Sequence, residues 1–502
     1  MKSYVQYISF RHDGYKFSKN ETVDFRFRRI VDGNTTDMVN TIKVQELPPI
    51  NGAISKKITF PQYHPFMNSP VSLEQYQAVV DDGLKAGLNS YIMVPVYPMN
   101  QSNPAGEAMR NAYRNAVNRK GMENYAWVLF NSPLVGAGKA TNLAALIDKY
   151  PDLEAVYYNN TGCQNPRWMR QYCFSKALGK YRKEFREALK KDYEYMITKG
   201  NVKSKKFFLN DESYPYGFHK DWKHCFCFCK DCKAGFGAMS GIPGAEKLDD
   251  VTIVTKYPAQ WNKWWKFKQK NQILGMTHEI IKELGGTLWY YHNTHDHEAY
   301  KHSRGKYDLV SIPVPGQIYP GSPVQGTMDA AKQIGEKITG VHNSFGQIHT
   351  YFPGEAANPT VFYSSDSNFY HPKEQKLVLV RMAATTHKGA IIESAAYCSA
   401  GTFYYMGEAM RLIAAFEDLF YDGVRDDKLA SSSVFKYPNM LVLKKGDERL
   451  VLIFNEDHVK PLRGILKNLT LKPGQKAVVW ESGKPYGKAD SMQITVKPQD
   501  VV

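Results

Sequence analysis

The chain has 502 residues, 43% hydrophobic and 23% charged, which leaves room for one large domain plus one or two small ones and excludes a disordered chain. Lys and Arg total 65 against 49 Asp and Glu, a formal +16, which suits either a solvated basic surface or attraction to a polyanion. No apolar run reaches the roughly 18 residues that would flag a transmembrane helix. The basic residues are spread along the chain and interleaved with acids, as in YRKEFREALKKD over 181–192, which favours helix faces with neighbouring ion pairs. The start, MKSYVQYISF, has no apolar signal core, as would also be true of a secreted chain whose leader had been cleaved.

Residues 1–54 alternate apolar and polar (YVQYISFR, TVDFRFRRIV, MVNTIKVQEL) and predict a short N-terminal β-region, in form a truncated sandwich. From about Lys57 the period changes. ITFPQYH predicts a first barrel strand and SLEQYQAVVDDGLKAGLN an amphipathic helix. SYIMVPVYP and NYAWVLFN follow as the second and third strands, separated by the helix NPAGEAMRNAYRNAVNRKG. LEAVYYNN reads as a further short strand, with Asn160 and Cys163 at its exit. A long charged helix at 175–199 leads to the fourth strand, which runs from Lys205 into Asn210-Asp211-Glu212. Helix YPAQWNKWWKFKQKNQILGMTHEIIKELGG and strands TLWYYHN and YDLVSIPVP come next. Residues 315–358 are irregular apart from one helix. PTVFYSSD reads as the seventh strand and AIIES as the eighth, with a closing helix at MGEAMRLIAAFEDLFYDG.

Strand–helix alternation over 55–427 predicts an α/β fold, a (β/α)8 TIM barrel. The near-continuous apolar strands fit a parallel sheet buried on both faces. An open doubly wound sheet is the competing topology, but no Gly-rich phosphate loop follows the early strands. Over 428–502 the alternation gives way to strands between Gly, Pro and charged turns, a C-terminal antiparallel β-domain of sandwich type.

Catalytic groups of such a barrel sit at the C-terminal strand ends. Glu212 is there, and an apolar wall from Tyr214, Tyr216 and Phe218 would raise its pKa toward that of a general acid. Asp211 beside it could orient or polarise a substrate group. His64, Tyr97, Asn131, Asn160 and His292 also fall at predicted strand ends, as substrate-binding candidates. His292, His295 and His297 are a weak metal candidate, since their spacing is irregular. Trp289 could stack on a sugar ring. Trp261, Trp264 and Trp265, at helical spacing, read as packing.

Of seven cysteines, Cys225, Cys227, Cys229 and Cys232 lie within eight residues. Cys227-x-Cys229-x-x-Cys232 suits a tetrahedral thiolate zinc site, with Cys163 or Cys225 as fourth ligand. Four thiolates leave no open position, so the zinc would be structural, and no catalytic cofactor is expected. A nucleic-acid zinc ribbon would need a second CxxC pair, and none is present.

Cys163-Gln164-Asn165-Pro166 with Arg170, the strand ending in Glu212, and CFCKDCKAGF together resemble the family 42 β-galactosidases of the clan A glycoside hydrolases. The resemblance covers roughly 55–425 and is concentrated in 160–236. It implies Glu212 as acid/base and Cys163, Cys227, Cys229 and Cys232 as zinc ligands. The residue before the acid, Asn in that family, is Asp211 here. The family nucleophile, a Glu ending strand seven, has Asp366 as its positional match, with Glu393 at the end of strand eight and Glu355 ahead of strand seven as fallbacks. The Asp211-Glu212 pair also resembles the substrate-assisted N-acetylhexosaminidases, in which no enzymic nucleophile is required. The expectation is a secreted or periplasmic hydrolase of β-linked oligo- or polysaccharide, galactose-configured, with an anionic, for example sulfated, polymer compatible with the basic charge balance. A non-catalytic carbohydrate-binding barrel is the competing reading. No nucleic-acid partner is expected, and homo-oligomerisation and a cytoplasmic location are left open.

Overall fold

The structure is a computed structural model. It describes residues 21–43, 46–63, 73–93, 123–129, 142–160, 172–198, 204–210, 227–266, 272–291, 309–313, 341–344, 372–385, 390–393, 400–437, 439–469, 471–483, 485–486 and 491–502.

The first two strands, β1 (Thr22–Val31) and β2 (Asn34–Lys43), form an antiparallel hairpin of their own, in register from Thr22 opposite Lys43 to Val31 opposite Asn34. Asp32 and Gly33 turn it at positive φ (51° and 77°), the backbone a two-residue hairpin loop demands. The segments YVQYISFR and PTVFYSSD lie outside the described residues.

Eight short parallel strands then close on themselves. In chain order they are β3 (Pro61–Tyr63), β4 (Ser90–Met93), β5 (Glu123–Leu129), β6 (Lys206–Asn210), β7 (Thr287–Tyr291), β8 (Leu309–Pro313), β9 (Val341–Ser344) and β10 (Ala390–Glu393). β10 pairs with β3 on one side and β9 on the other. The pairing can be followed once round, from Glu393 through Tyr63, Ile92, Tyr125, Lys206 and Thr287. Continued through β8 and β9, it returns to the eighth strand eight residues earlier. That is the stagger with which eight tilted strands close.

The described ring places Val341–Ser344, within the stretch read as irregular, beside β10; PTVFYSSD and Asp366 lie outside the described residues. LEAVYYNN, read as a further short strand outside the eight, forms no regular strand. Pro151–Leu153 and Tyr158–Asn160 are single 3-10 turns, Glu154 bridges to Tyr172, and the Val156 carbonyl accepts from Phe228 N at 2.7 Å. The backbone partners of this segment are therefore the cysteine region, not a neighbouring barrel strand.

Helices cover the ring. α1 (Leu73–Lys85) stops where Gly87 adopts φ +92°. A Cβ there would lie 2.3 Å from the Ala53 carbonyl oxygen, so only glycine lets the 46–60 segment pass. α2 (Asn142–Lys149) begins on the buried carboxylate of Asp192, which accepts from Asn142 N at 2.9 Å, Asn142 Nδ2 at 2.7 Å and Leu143 N at 3.2 Å. The long charged helix is two pieces, α3 (Phe174–Leu178) and α4 (Arg182–Thr198), broken at Gly179. After β6 come α5 (Lys230–Ser240), α6 (Asp250–Lys256), α7 (Pro258–Lys266) and α8 (Leu274–Glu283). α9 (Glu374–Thr385) links β9 to β10, and α10 (Ala400–Ala415) and α11 (Glu417–Asp422) follow. Trp261, Trp264 and Trp265 are buried in the core, as their helical spacing implies.

The chain ends in antiparallel sheets. β11 (Val424–Arg425), β12 (Met440–Lys445), β13 (Glu448–Asn455) and β18 (Asp500–Val501) form one; β14 (Leu462–Lys467) pairs with β17 (Ser491–Val496), and β15 (Ala477–Val478) with β16 (Pro485–Tyr486). Leu441, Leu443, Leu450, Leu452 and Phe454 share a core with α9 and α10. Two buried cations on α9 tie the sheet down. Arg381, 2% exposed, pairs with Glu456, donates to Asn439 Oδ1 at 2.9 Å and covers the Phe454 ring at 4.3 Å. Lys376, 7% exposed, binds Glu481 at 2.8 Å and Asp500 at 2.7 Å.

Two stability predictions follow. Arg381→Ala empties a buried volume and removes the Asn439 hydrogen bond and the Phe454 contact, while Glu456 is left half exposed, and is expected to cost about 2–3 kcal/mol in denaturant unfolding. Burial holds the Asp192 carboxyl above the ordinary range despite its three N–H donors. The folded state therefore binds that proton more tightly than the unfolded chain. Its favourable contribution is complete below about pH 4 and is lost as pH rises through the raised value. Chemical unfolding of wild type and Asp192→Asn should show the variant gaining relative stability from about pH 4 upward, and no relative change below it.

Candidate active site and cysteine centre

The inner face of the ring is fixed by ring contacts and register. Phe208 meets Trp289 edge-on at 5.6 Å, and Tyr125 meets Trp289 at 5.4 Å. Phe207, on the other face of β6, packs against Tyr193 of α4 at 5.1 Å. Tyr125, Phe208 and Trp289 therefore fill the barrel interior, while Phe207, Leu209 and Leu288 face the helices. Trp289 is 1% exposed, so it is part of this packed floor and not a sugar platform.

Parallel register partners share a face. From Trp289 the inner set passes to Leu309 and, two and four residues on, to Ser311 and Pro313. Pro313 pairs with His342, and Ser344, two residues on, pairs with Glu393. Glu393 pairs with Tyr63, Tyr63 with Ile92, and Ile92 with Tyr125. The set closes without contradiction. Glu393 thus occupies an inner-face position at the C-terminal end of β10. It is the one acidic residue at such an end among the described strand residues; Glu123 begins β5 at the opposite end.

Asp211 and Glu212 come directly after β6, His64 after β3, Asn131 two residues after β5, Tyr97 four after β4, and His292 directly after β7. These residues lie outside the described ones, as do Asp366, Glu355, His295, His297, Tyr214, Tyr216 and Phe218. Asn160 is separated from the group: it ends a 3-10 turn beside the cysteine region, where Asn159 N donates to Asp250 Oδ2 at 2.8 Å.

Among the described residues four cysteines come together. The sulfurs of Cys173, Cys227, Cys229 and Cys232 lie within 4.8 Å of one another, and all four residues are buried. Cys173 is not among the expected ligands; Cys163 and Cys225, the two expected for the fourth place, lie outside the described residues. Cys173 and Cys229 are the residues on which α3 and α5 begin. Cys173 Sγ is 3.5 Å from Cys229 Sγ and 3.4 Å from Cys232 Sγ. A tetrahedron with metal–sulfur bonds of about 2.3 Å has sulfurs about 3.8 Å apart, so the group fits a four-coordinate ion.

The thiols differ in how tightly they hold the proton. Hydrogen bonds from the Cys173, Cys227 and Cys232 thiols pull Cys229 far below the usual thiol range. Hydrogen bonds to Cys227 and Cys229 push Cys173 up, and burial foremost pushes Cys232 up. One thiolate is thus stabilised at the expense of its neighbours, and four together require an ion. Lys176 stands by: burial works against its charge, but the charges on Cys229, Cys173 and Asp152 outweigh that and raise its pKa. Val156 N donates to Cys227 Sγ at 3.4 Å. Such outer contacts orient metal ligands.

No family model matches the sequence, and no curated protein matches it. Solved structures give distant likenesses. One is an α-L-fucosidase isoenzyme 2 from Paenibacillus thiaminolyticus, at 11% identity and TM-score 0.41, over 74% of this chain and 51% of that one. Another is a GH30 endoxylanase from Clostridium papyrosolvens, at 9% and 0.41, over 90% and 97%. A third is a putative α-galactosidase from Bacteroides fragilis, at 7% and 0.43, over 96% and 85%. The chain spans about half the length of the fucosidase. No helix among the described residues is long and apolar enough to cross a membrane.

Cys173→Ser is expected to lose the bound metal of purified protein, read as ion per chain by elemental analysis. Cys163→Ser is expected to keep it. The reverse result would return the fourth ligand to Cys163.

Proposed function

We propose that the chain is a glycoside hydrolase cleaving β-linked sugars, with Glu212 as general acid/base and Glu393 as its partner carboxylate. The carrying observation is the placement of Glu393: an acid at the C-terminal end and inner-face register of a barrel strand. Asp211-Glu212 follow β6, four strands away and so across the mouth of the ring. Two carboxyl groups from opposed strands would flank a substrate bound between them. Glu212 would protonate the glycosidic oxygen as the C1–O bond breaks. Glu393 would supply negative charge to the oxocarbenium-like carbon, directly or through a water. The packed rings of Tyr125, Phe208 and Trp289 form an apolar floor within the ring, beneath the proposed site. A galactose-configured substrate is the reading that the resemblance to the family 42 β-galactosidases supports.

Zn²⁺ is the ion we assign to Cys173, Cys227, Cys229 and Cys232, in a structural role, since four thiolates leave no position for water. Export to the periplasm or beyond belongs to the same proposal.

A second reading is favoured by one observation: β9, Val341–Ser344, carries no acid. In a substrate-assisted N-acetylhexosaminidase Asp211 would polarise the 2-acetamido group and no enzymic nucleophile would be needed.

Glu212→Gln and Glu393→Gln should each lower kcat on aryl β-galactosides by about 10²–10⁴-fold. Asp366→Asn should leave kcat within a few-fold of wild type. Hydrolysis confined to N-acetylated aryl glycosides, lost in Asp211→Asn and kept in Glu393→Gln, would select the second reading. No turnover of either class by wild type would reject both.

A further inference from the structure

A cleft of about 750 Å³ opens between α10, α11 and the sheets that follow. It lies toward the end of the barrel away from Glu393. α10 starts seven residues after Glu393 and runs away from it, and Glu417, which begins α11, accepts from Ser55 Oγ at 2.9 Å and Lys56 N at 2.7 Å, just ahead of β3. The cleft is thus separate from the proposed catalytic mouth.

Trp480 lines this cleft with its side chain 45% exposed, unusual for the largest apolar ring. Phe416 meets its indole edge-on at 5.0 Å and braces it. Polar groups stand on the same lining as ion pairs: Lys376 with Glu481 at 2.8 Å, and Arg411 with Glu408 at 3.3 Å. Over the whole lining acids outnumber bases, in a chain whose overall balance is strongly basic.

We propose that this cleft is a second carbohydrate site, which takes an uncharged pyranose of the polysaccharide substrate on Trp480. A pyranose has an apolar C–H face and a rim of hydroxyls that both donate and accept. A braced indole offers flat apolar area at little entropic cost. The ion pairs offer donors and acceptors without a net positive field. A sulfated ring would meet an excess of carboxylates. The site would hold the polymer while the barrel mouth cleaves it. The choice of substrate class rests on the hydrolase reading; the binding itself does not.

The test uses the full chain carrying Glu212→Gln, so that polymer is bound and not consumed, with soluble β-1,4-galactan and a sulfated carrageenan as probes. Added Trp480→Ala should weaken galactan retention in affinity electrophoresis about tenfold, and Trp480→Phe should restore most of it. In the otherwise wild-type chain, Trp480→Ala should leave kcat/KM on an aryl β-galactoside unchanged and lower turnover of galactan. Equal galactan retention with and without Trp480, no galactan retention by any variant, or Trp480-dependent retention of carrageenan alone would each overturn the proposal. Trp480-dependent galactan retention by a chain that hydrolyses no glycoside would uphold the cleft and reject the hydrolase.

Discussion

The backbone hydrogen bonds that tie Ala390–Glu393 to Pro61–Tyr63 on one side and Val341–Ser344 on the other turn a row of parallel strands into a ring. In an open sheet the first and last strands would be far apart. Closure sets Glu393 beside Tyr63 and, through the stagger, fixes which residues of every strand face inward. The aromatic floor and the acid above it are consequences of that single geometric condition. The helices add the outer core, but they do not decide which end of the barrel is chemical; strand polarity does.

The cysteine group gathers parts of the chain that are far apart in sequence. Its ligands come from three places in the chain: the start of α3, the approach to α5, and the first turn of α5. An ion there would join all three. Lys176 and the Val156 amide stand beside the sulfurs and offset negative charge there. Phe228 and Trp261, stacked at 5.1 Å, close the apolar side of the same region.

Much of this was legible as apolar runs. Phe207-Phe208-Leu209 and Leu288-Trp289 are strands because their side chains fill both faces of a buried sheet. Val341–Ser344 was not legible: its side chains are mostly polar and it is only four residues long. What makes it a strand is pairing on both sides, a property of its neighbours. LEAVYYNN misled for the opposite reason, since its apolar residues serve the core around the cysteines. Cys173 was missed because spacing alone cannot rank it against Cys163; it stands just before a helix, FSKAL, whose first turn faces α5. Trp289 looked like a sugar platform because strand-end aromatics often are, but two further ring contacts place it in the floor.

Arg381 and Lys376 both sit on α9, the connection that carries the chain from the seventh strand to the eighth. The terminal sheet therefore grips the very segment that delivers Glu393. It is not a detachable appendage. Gene fusions or recombinations that exchange this sheet for another would leave two cations and a leucine-rich face without partners, so the sheet and the last quarter of the barrel are constrained to be inherited together.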